Sequence, residues 1–222
     1  MARLPWFAIL IAAPAVAQAP QPDLMATMQG IAQGLGVRCE YCHSAPRGSG
    51  QPEPKKEVAR AMMAMTRELN AKIEAATGKP AGEATRVTCQ TCHRGVAIPR
   101  QLPEIITQTI REKGVVAAIE QYRELRQQYF GRQAYDFGED VLLTLGQQMS
   151  AGRPDDAIAL LKVNFEFYPR SARSLAAIAY AYTRKYDDPT AITFLEKALE
   201  LEPGNGMIQG QLAQLKSYQR RK

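Results

Sequence analysis

All of the cysteines and histidines in this chain fall into two copies of one short pattern. The chain has 4 cysteines and 2 histidines, and they occur in "CEYCH" at residues 39–43 and in "CQTCH" at residues 89–93. Thiols and imidazoles bind metals and take part in redox chemistry. Two copies of C-x-x-C-H therefore indicate a site that holds a metal or a redox group.

Three kinds of chemistry use paired cysteines at this spacing. Two C-x-x-C pairs can supply the four ligands of a zinc site, and exported proteins form disulfides in oxidising compartments. The third is covalent haem, because in C-x-x-C-H both sulfurs add to the vinyl groups of one porphyrin edge and the histidine ligates the iron. Neither zinc nor a disulfide requires histidine there in both copies, so the pattern favours two covalently bound c-type haems. The attachment residues are then Cys39, Cys42, Cys89 and Cys92, and the proximal iron ligands are His43 and His93.

Each haem iron has a second axial position, and the sequence restricts which residue can fill it. Both histidines are already used as proximal ligands, so methionine is the natural alternative, and it raises the reduction potential relative to histidine. Met25 and Met28 precede the first motif, whereas Met62, Met63 and Met65 precede the second. A methionine on a helical face also fills space in a core. The concentration of these residues directly before each motif nevertheless favours ligation.

The two groups of methionines lie in segments with helical periodicity. The segment "LMATMQGIAQGLG" has apolar residues at helical spacing, and Gly34 and Gly36 are predicted to end it before Cys39. The segment "KKEVARAMMAMTRELNAKIEAA" shows the same spacing and is predicted to end at Gly78 and Pro80. Each motif is therefore expected to follow a methionine-bearing helix.

From residue 102 onward the pattern predicts paired helices with an internal repeat. Two segments recur with a period of about 34 residues, which is the length of a tetratricopeptide repeat. The recurring positions are Ala157, Leu161 and Pro169 in one copy and Ala191, Leu195 and Pro203 in the next. The segment "VVAAIEQYRELRQQY" is predicted to be one further helix, and residues 207–219 a capping helix. The predicted fold class is all-α, with a helical two-haem cytochrome c domain at 18–101 followed by tetratricopeptide-like helical repeats at 102–222.

The first seventeen residues have the features of a secretory signal peptide. Arg3 gives a short positive region, residues 4–13 are apolar, and Ala15-Val16-Ala17 offers a small-x-small cleavage site. The apolar run is too short to span a bilayer, and no later stretch approaches that length. The sequence thus predicts a signal peptide at 1–17, no transmembrane segment after its removal, and a periplasmic or extracellular protein.

The composition is that of a globular protein with a modest basic excess. Hydrophobic residues make up 45% of the chain, charged residues 23%, and the formal net charge is +6. Because basic residues form no long run and no recognised nucleic-acid module occurs, nucleic-acid binding is not expected. The excess is either a solvated surface or a means of steering towards acidic protein redox partners. Lys55 and Lys56 are candidates for such docking, with a plain surface helix start as the alternative.

Three strings together resemble a known family. The strings "MQGIAQGLGVRCEYCH", "ARAMMAMTRELN" and "VTCQTCHRG" are similar to the cytochrome c subunit of photosynthetic reaction centres. That family has four haems in two similar halves, and each haem segment is a helix, a turn and C-x-x-C-H. Residues 23–100 resemble one two-haem half. Because only half of the pattern is present and repeats follow it, a role in a reaction centre is not implied.

The resemblance implies specific distal iron ligands. Carried over by position, these fall on Met28 for the first haem and Met62 for the second, with Met65 as a packing residue. Met25 and Met63 are the alternatives. Arg94, beside the second motif, is a candidate partner for a haem propionate, although a solvated arginine fits that position equally well.

With both axial positions filled, no iron has a vacant site for a substrate. This favours an electron carrier over an enzyme, and no further histidine is present for acid–base catalysis. One alternative is a peroxidase-like haem enzyme in which an iron lacks its sixth ligand. Another is an assembly subunit in which the repeat domain binds peptides or joins copies into a haem wire.

Overall fold

The computed structural model describes residues 23–46 and 49–221, and within these ranges the regular structure is entirely helical. The predicted all-α fold class is therefore confirmed. The predicted signal peptide at 1–17 lies outside the described residues. Among the residues that are described, no helix combines the length and apolar character needed to cross a bilayer.

The first helix, α1, spans Leu24–Leu35 and ends where the sequence predicts. The Asp23 side chain caps it by accepting a hydrogen bond from the Met25 amide at 2.9 Å. Gly36 follows in the left-handed conformation at φ 65°, which glycine adopts without steric cost. Gly34 does not end the helix, since it lies in the last turn of α1 as its buried residue.

The second helix, α2, spans Pro54–Thr77, with proline in the first turn and Gly78 as a left-handed C-cap. The predicted helical segment and its stop are both confirmed. In the described chain α2 packs little against other helices, and it buries a single residue, Asn70.

The two C-x-x-C-H motifs adopt short helical turns close to α1. The first forms a 3₁₀ turn at Cys39–Tyr41, and the second forms the short helix α3 at Cys89–His93. The C-terminal end of α1 packs against α3, where the Gly95 amide donates to the Gly34 carbonyl at 2.9 Å. A Cβ on Gly34 would lie 3.0 Å from the Cys89 Cβ, so glycine permits this close approach. The end of the first methionine-bearing helix thereby meets the second motif.

The bounds of the remaining helices are α4 Leu102–Lys113, α5 Val115–Tyr129, α6 Glu139–Met149, α7 Pro154–Phe167, α8 Ala172–Arg184, α9 Asp188–Leu201 and α10 Gly206–Gln219. They pack in pairs: α4 packs against α5, and from α6 to α10 each helix packs against the next. Helix α5 contacts α7, and α4 contacts α6. The sequence did not predict α4, although its Leu102, Ile106 and Ile110 are buried at helical spacing.

The bounds of the helices recur with the same period as the sequence repeat. Helix α9 begins and ends one full period after α7, and α10 begins one period after α8. Ser171 and Asn205 occupy equivalent N-caps, where their side chains accept hydrogen bonds from the Ser174 and Ile208 amides. The recurring small and apolar residues Ala157, Leu161, Ala191 and Leu195 are at most 2% exposed. Their burial explains the period, because each helix pair covers the apolar face of the next.

Candidate haem-binding site

A cavity of about 1070 Å³ lies between α1, the first motif and α2. This slightly exceeds the usual range of small-molecule sites, about 300–1,000 Å³, so the space is large enough for a bulky group. The residues that line it include Met25, Met28, Ile31, Leu35, Cys39, Cys42, His43, Glu53, Lys56, Arg60 and Met63. One cavity therefore gathers a complete C-x-x-C-H motif, apolar walls and thioethers.

The predicted ligand Met28 lies in this cavity with Cys39, Cys42 and His43. Helix α1 brings it there by running along one wall, with Ile31 and Leu35 on the same helical face. Met25 also lines the cavity but is more exposed, at 64% against 36% for Met28. The structure thus brings the residues predicted for the first haem together, with Met28 better covered than its alternative.

Two methionines of α2 face different surroundings. Met63 lines the cavity beside the first motif, whereas Met62 does not. Met62 belongs to an exposed apolar stripe on α2, formed by Val58, Met62, Met65 and Leu69. These four lie on one helical face, since their spacing follows the 3.6-residue period. The stripe remains apolar and open, and the assignment of Met62 to the second haem stays a prediction.

Charged groups on α2 and its N-cap also line the cavity. Glu53 accepts a hydrogen bond from Lys56, and this bond holds the pKa of the Glu53 carboxyl below its usual value. The Glu53 Oε1 atom is buried and has no hydrogen-bond partner among the described residues. Arg60 lies one turn beyond Lys56 on the same wall. The buried Oε1 atom of Glu53 can therefore accept a hydrogen bond from a further polar group in this part of the cavity.

In the second motif the histidine ring is held by the backbone. The His93 Nδ1 atom lies 3.0 Å from the carbonyl oxygen of Val96, which is 6% exposed. Since a carbonyl only accepts, Nδ1 carries the proton and donates, and Nε2 is left with a free lone pair. Metal-bound histidines are commonly oriented by such a bond. The ring of His93 is thereby prepared to ligate iron through Nε2.

Arg94 does not line the cavity of the first motif. It lines a second cavity of about 510 Å³, together with Thr88, Gln90, Thr91, Gln133, Tyr135 and Asp136. Arg94 follows α3 in the left-handed conformation at φ 50°. No cysteine or histidine is among the described residues that line this cavity. The pairing of Arg94 with a propionate therefore stays a prediction.

The structure does not support the zinc or the disulfide interpretation of the motifs. No disulfide joins any two of the four cysteines, all of which the structure describes. In the ranges 23–46 and 49–221, no group of three or more histidine, cysteine or acidic side chains is placed to hold a metal ion. A zinc site needs four such ligands at one point.

Two charged residues of the site were not found from the sequence. Glu53 and Arg60 gave no distinct signal, because charged residues at a helix start are common. Met63 was named as an alternative ligand of the second haem, and it lines the cavity of the first motif. Gly34 was interpreted as a helix stop, whereas its role is the close contact with Cys89. Lys56 also lines the cavity, and the Lys55 Nζ atom lies 3.7 Å from the centre of the Tyr41 ring. A docking role for these two lysines stays a prediction.

The helical fold and this cavity define a c-type cytochrome as the class of protein. Residues 22–143, more than half of the chain, match the family model of the photosynthetic reaction centre cytochrome C subunit. The chain belongs to this family. The match continues past residue 101 through α4 and α5 into α6.

The chain is also similar to cytochrome c-554 of Chloroflexus aurantiacus, with 35% identity over 65 residues. This stretch is 29% of the chain and 15% of that relative, so the chain matches only a small part of its length. Family membership indicates a haem-containing cytochrome, with covalently bound c-type haem as its implied cofactor.

Proposed function

We propose that this protein is an exported dihaem c-type cytochrome that passes electrons between protein redox partners. One observation carries the proposal: Met28, Cys39, Cys42 and His43 line the same apolar cavity. The C-x-x-C-H motif supplies covalent attachment and one axial ligand, while the opposite helix offers a thioether for the other. An iron held on both sides has no open position for a substrate, so its function is to take up and release single electrons.

Each residue type has a defined part in this function. The thiols of Cys39, Cys42, Cys89 and Cys92 hold two haems, and His43 and His93 bind the irons. When bound, haem supplies an iron that changes between the ferric and ferrous states. The protein sets the potential through the axial ligands, through burial and through hydrogen bonds such as that of His93 Nδ1 to Val96. Met28 and Met62 are the proposed distal ligands.

The apolar stripe of α2 supports the assignment of Met62 to the second haem. A helix with Val58, Met62, Met65 and Leu69 exposed between 38% and 56% lacks a partner for an apolar face among the described residues. A haem held by Cys89 and Cys92 is the group proposed to cover that face, and Met62 would offer it a thioether ligand. Met63, on the cavity side of α2, is the competing ligand.

The C-terminal helices are proposed to mediate contacts with other proteins. Their repeat period, with alanines at the helix contacts, is that of a tetratricopeptide-like domain, proposed to span 102–222 after a haem domain at 18–101. Such domains build surfaces that bind peptides or further copies. The net charge of +6 suits an acidic redox partner. Export to the periplasm or beyond follows from the predicted signal at 1–17.

The test is a quantitative absorption spectrum of protein made in a host that attaches c-type haem. We expect two haems per chain, low-spin in both oxidation states, with the weak sulfur-to-iron band of the oxidised form. The Met28→Leu variant should keep both haems, lose part of this band and have one lowered midpoint potential, with Met65→Leu as the matched control. One haem per chain, or high-spin iron that turns over peroxide, would overturn the proposal in favour of a different carrier or an enzyme.

A further inference from the structure

One buried polar side chain, Asn70, joins α2 to the segment that precedes the second motif. Asn70 is 8% exposed, and it is the single residue that this helix buries. Most helices of this length are held by an apolar stripe, but the apolar stripe of α2 is exposed. The buried position of α2 is therefore occupied by the polar side chain of Asn70, where a packed helix normally has leucine or isoleucine.

The Asn70 amide binds the backbone of Val87 through both of its polar atoms. Its Nδ2 donates to the Val87 carbonyl at 2.9 Å, and its Oδ1 accepts from the Val87 amide at 2.7 Å. This pair reproduces the bonding of two paired strands and satisfies both backbone groups of one residue. Because two bonds fix both distance and orientation, the contact sets how α2 lies relative to Val87.

Val87 leads directly into the second haem motif. Thr88 follows it as the N-cap of α3, and Cys89 is the first residue of that helix. On its other side α3 is held by α1, through the contact of Gly34 with Cys89. The second motif is thus clamped between two helices, by close packing on the α1 side and by the Asn70 amide on the α2 side.

The same amide determines where the methionines of α2 lie. Lys56, Met63 and Asn70 are evenly spaced at two helical turns and share one face of α2, and the first two line the cavity of the first motif. With this face turned inward, Met62 and Met65 are turned outward. If the Asn70 contact were lost, α2 would be free to rotate and shift relative to Cys89.

We propose that Asn70 is a positioning residue that holds the methionine of α2 at the iron bound by the second motif. This rests on the proposed function, since it presupposes a haem on Cys89 and Cys92 with a methionine ligand from α2. Asn70 acts through its two hydrogen bonds to the backbone of Val87. The first haem, whose proposed ligand Met28 comes from α1, does not depend on this contact.

The test compares haem content, the sulfur-to-iron band and the midpoint potentials of wild type and Asn70→Ala, measured on the full chain with haem attached. Alanine keeps the helix, because it is the strongest helix former. We expect unchanged haem content, loss of about half of the sulfur-to-iron band, since one of two methionine ligands is affected, and a lowered potential for one haem only. Asn70→Asp keeps an acceptor for the Val87 amide. Its sulfur-to-iron band and its lowered potential should therefore lie between those of wild type and those of Asn70→Ala.

A matched control variant distinguishes the loss of methionine positioning from a general loss of stability. Asn164 is a fully buried asparagine of α7 whose Nδ2 donates to Ser174 Oγ at 2.9 Å, far along the chain from both motifs. Asn164→Ala should lower stability yet leave the band and both potentials unchanged. An Asn70→Ala protein with the wild-type band and potentials, or an Asn164→Ala protein with the same spectral loss, would overturn the inference.

The two proposals fail in distinguishable ways. If wild type itself lacks the sulfur-to-iron band, the methionine ligation in the proposed function is wrong. The positioning of a methionine by Asn70 is then rejected with it. If wild type has the band and two haems but Asn70→Ala keeps the same band and potentials, the role of Asn70 alone is rejected and the proposed function stands.

Discussion

At the scale of single residues, α2 presents two adjacent methionines to two different sides. Met63 lies in the cavity of the first motif, and Met62 lies on the exposed stripe with Val58, Met65 and Leu69. Adjacent residues in a helix point about 100° apart, so only one of the two can serve a given haem. The family pattern indicates Met62 for the second iron, and the open stripe is consistent with a group that covers it.

We predict different effects for these two neighbours. Met62→Leu should lose the sulfur-to-iron band of one haem and lower its potential by about 0.1 V or more, because a hydrophobic side chain of similar size cannot ligate iron. Met63→Leu, the matched control, should leave the band intact, since leucine also fills the cavity wall. Potentiometry with absorption spectra measures both. A reversed outcome would assign the ligand to Met63.

At the scale of elements, the geometry of the site depends on the contact between α1 and the segment after α3. Gly36 ends α1 at φ 65°, and a Cβ at this position would lie 2.0 Å from the carbonyl oxygen of Gly95. That contact is with backbone, which cannot swing aside as a flexible side chain can. The junction between the first methionine-bearing helix and the second motif therefore requires glycine.

Gly36→Ala should therefore destabilise the protein strongly. A left-handed alanine alone costs about 1–3 kcal/mol, and the clash with Gly95 adds to this. Gly30→Ala, in the same helix, has no atom within 4 Å of the new Cβ and should stabilise by about 1 kcal/mol through helix propensity. Urea unfolding of the haem-loaded proteins measures both. Equal stability of the two variants would show that the α1–α3 junction can relax.

A second element contact links α5 to α7 through an ion pair. Arg123 donates to both carboxylate oxygens of Glu166, at 2.6 and 2.7 Å, and this hydrogen bonding lowers the pKa of Glu166 below its ordinary value. Both side chains are about half exposed, 44% and 51%, so the pair contributes at most about 1 kcal/mol.

The pair should make stability depend on pH in the acid range. A lowered carboxyl pKa adds stability above the pKa of the unfolded chain, and this is lost as the pH falls through the lower folded value. Glu166→Gln should therefore lower stability at neutral pH by up to about 1 kcal/mol and reduce its loss on acidification. Denaturant unfolding at several pH values between about 3 and 7 tests this. An unchanged acid slope in the variant would contradict it.

At the scale of the whole molecule, the net charge of +6 gives the protein a long-range field. Arg3 is the only charged side chain in residues 1–17, so the charge stays positive after removal of the predicted signal. Surface fields change association rates, and salt screens them over about 10 Å at 0.1 M.

We predict opposite salt effects for two small oxidants. Oxidation of the reduced protein by the anion hexacyanoferrate(III) should slow as salt is added, and oxidation by the cation tris(phenanthroline)cobalt(III) should accelerate. The physical reason is the loss of attraction in one case and of repulsion in the other. Stopped-flow rates over a range of salt concentrations measure both. The same sign for both reagents would show that the charge near the exposed haem edge differs from the net charge.

The sequence by itself determined the parts of the site that are covalent or local. The six motif residues need only their spacing to define their chemistry, and a C-x-x-C-H string carries that spacing wherever it lies. Helices α1 and α2, with their glycine stops, follow from periodicity and left-handed caps, which are properties of a few consecutive residues. The helical repeat after residue 102 was likewise visible in the sequence, because each copy has small residues at the same positions, where they are buried.

Only the tertiary structure decided which distant residues meet. The contact of Gly34 with Cys89, the pairing of Asn70 with Val87 and the place of Met63 in the first cavity all join segments far apart in the chain. Helical spacing gives the face on which a residue lies, but the rotation of that face towards one neighbour or another is set by packing. A buried asparagine, which no apolar pattern reveals, sets that rotation for α2, and with it the direction in which each methionine points.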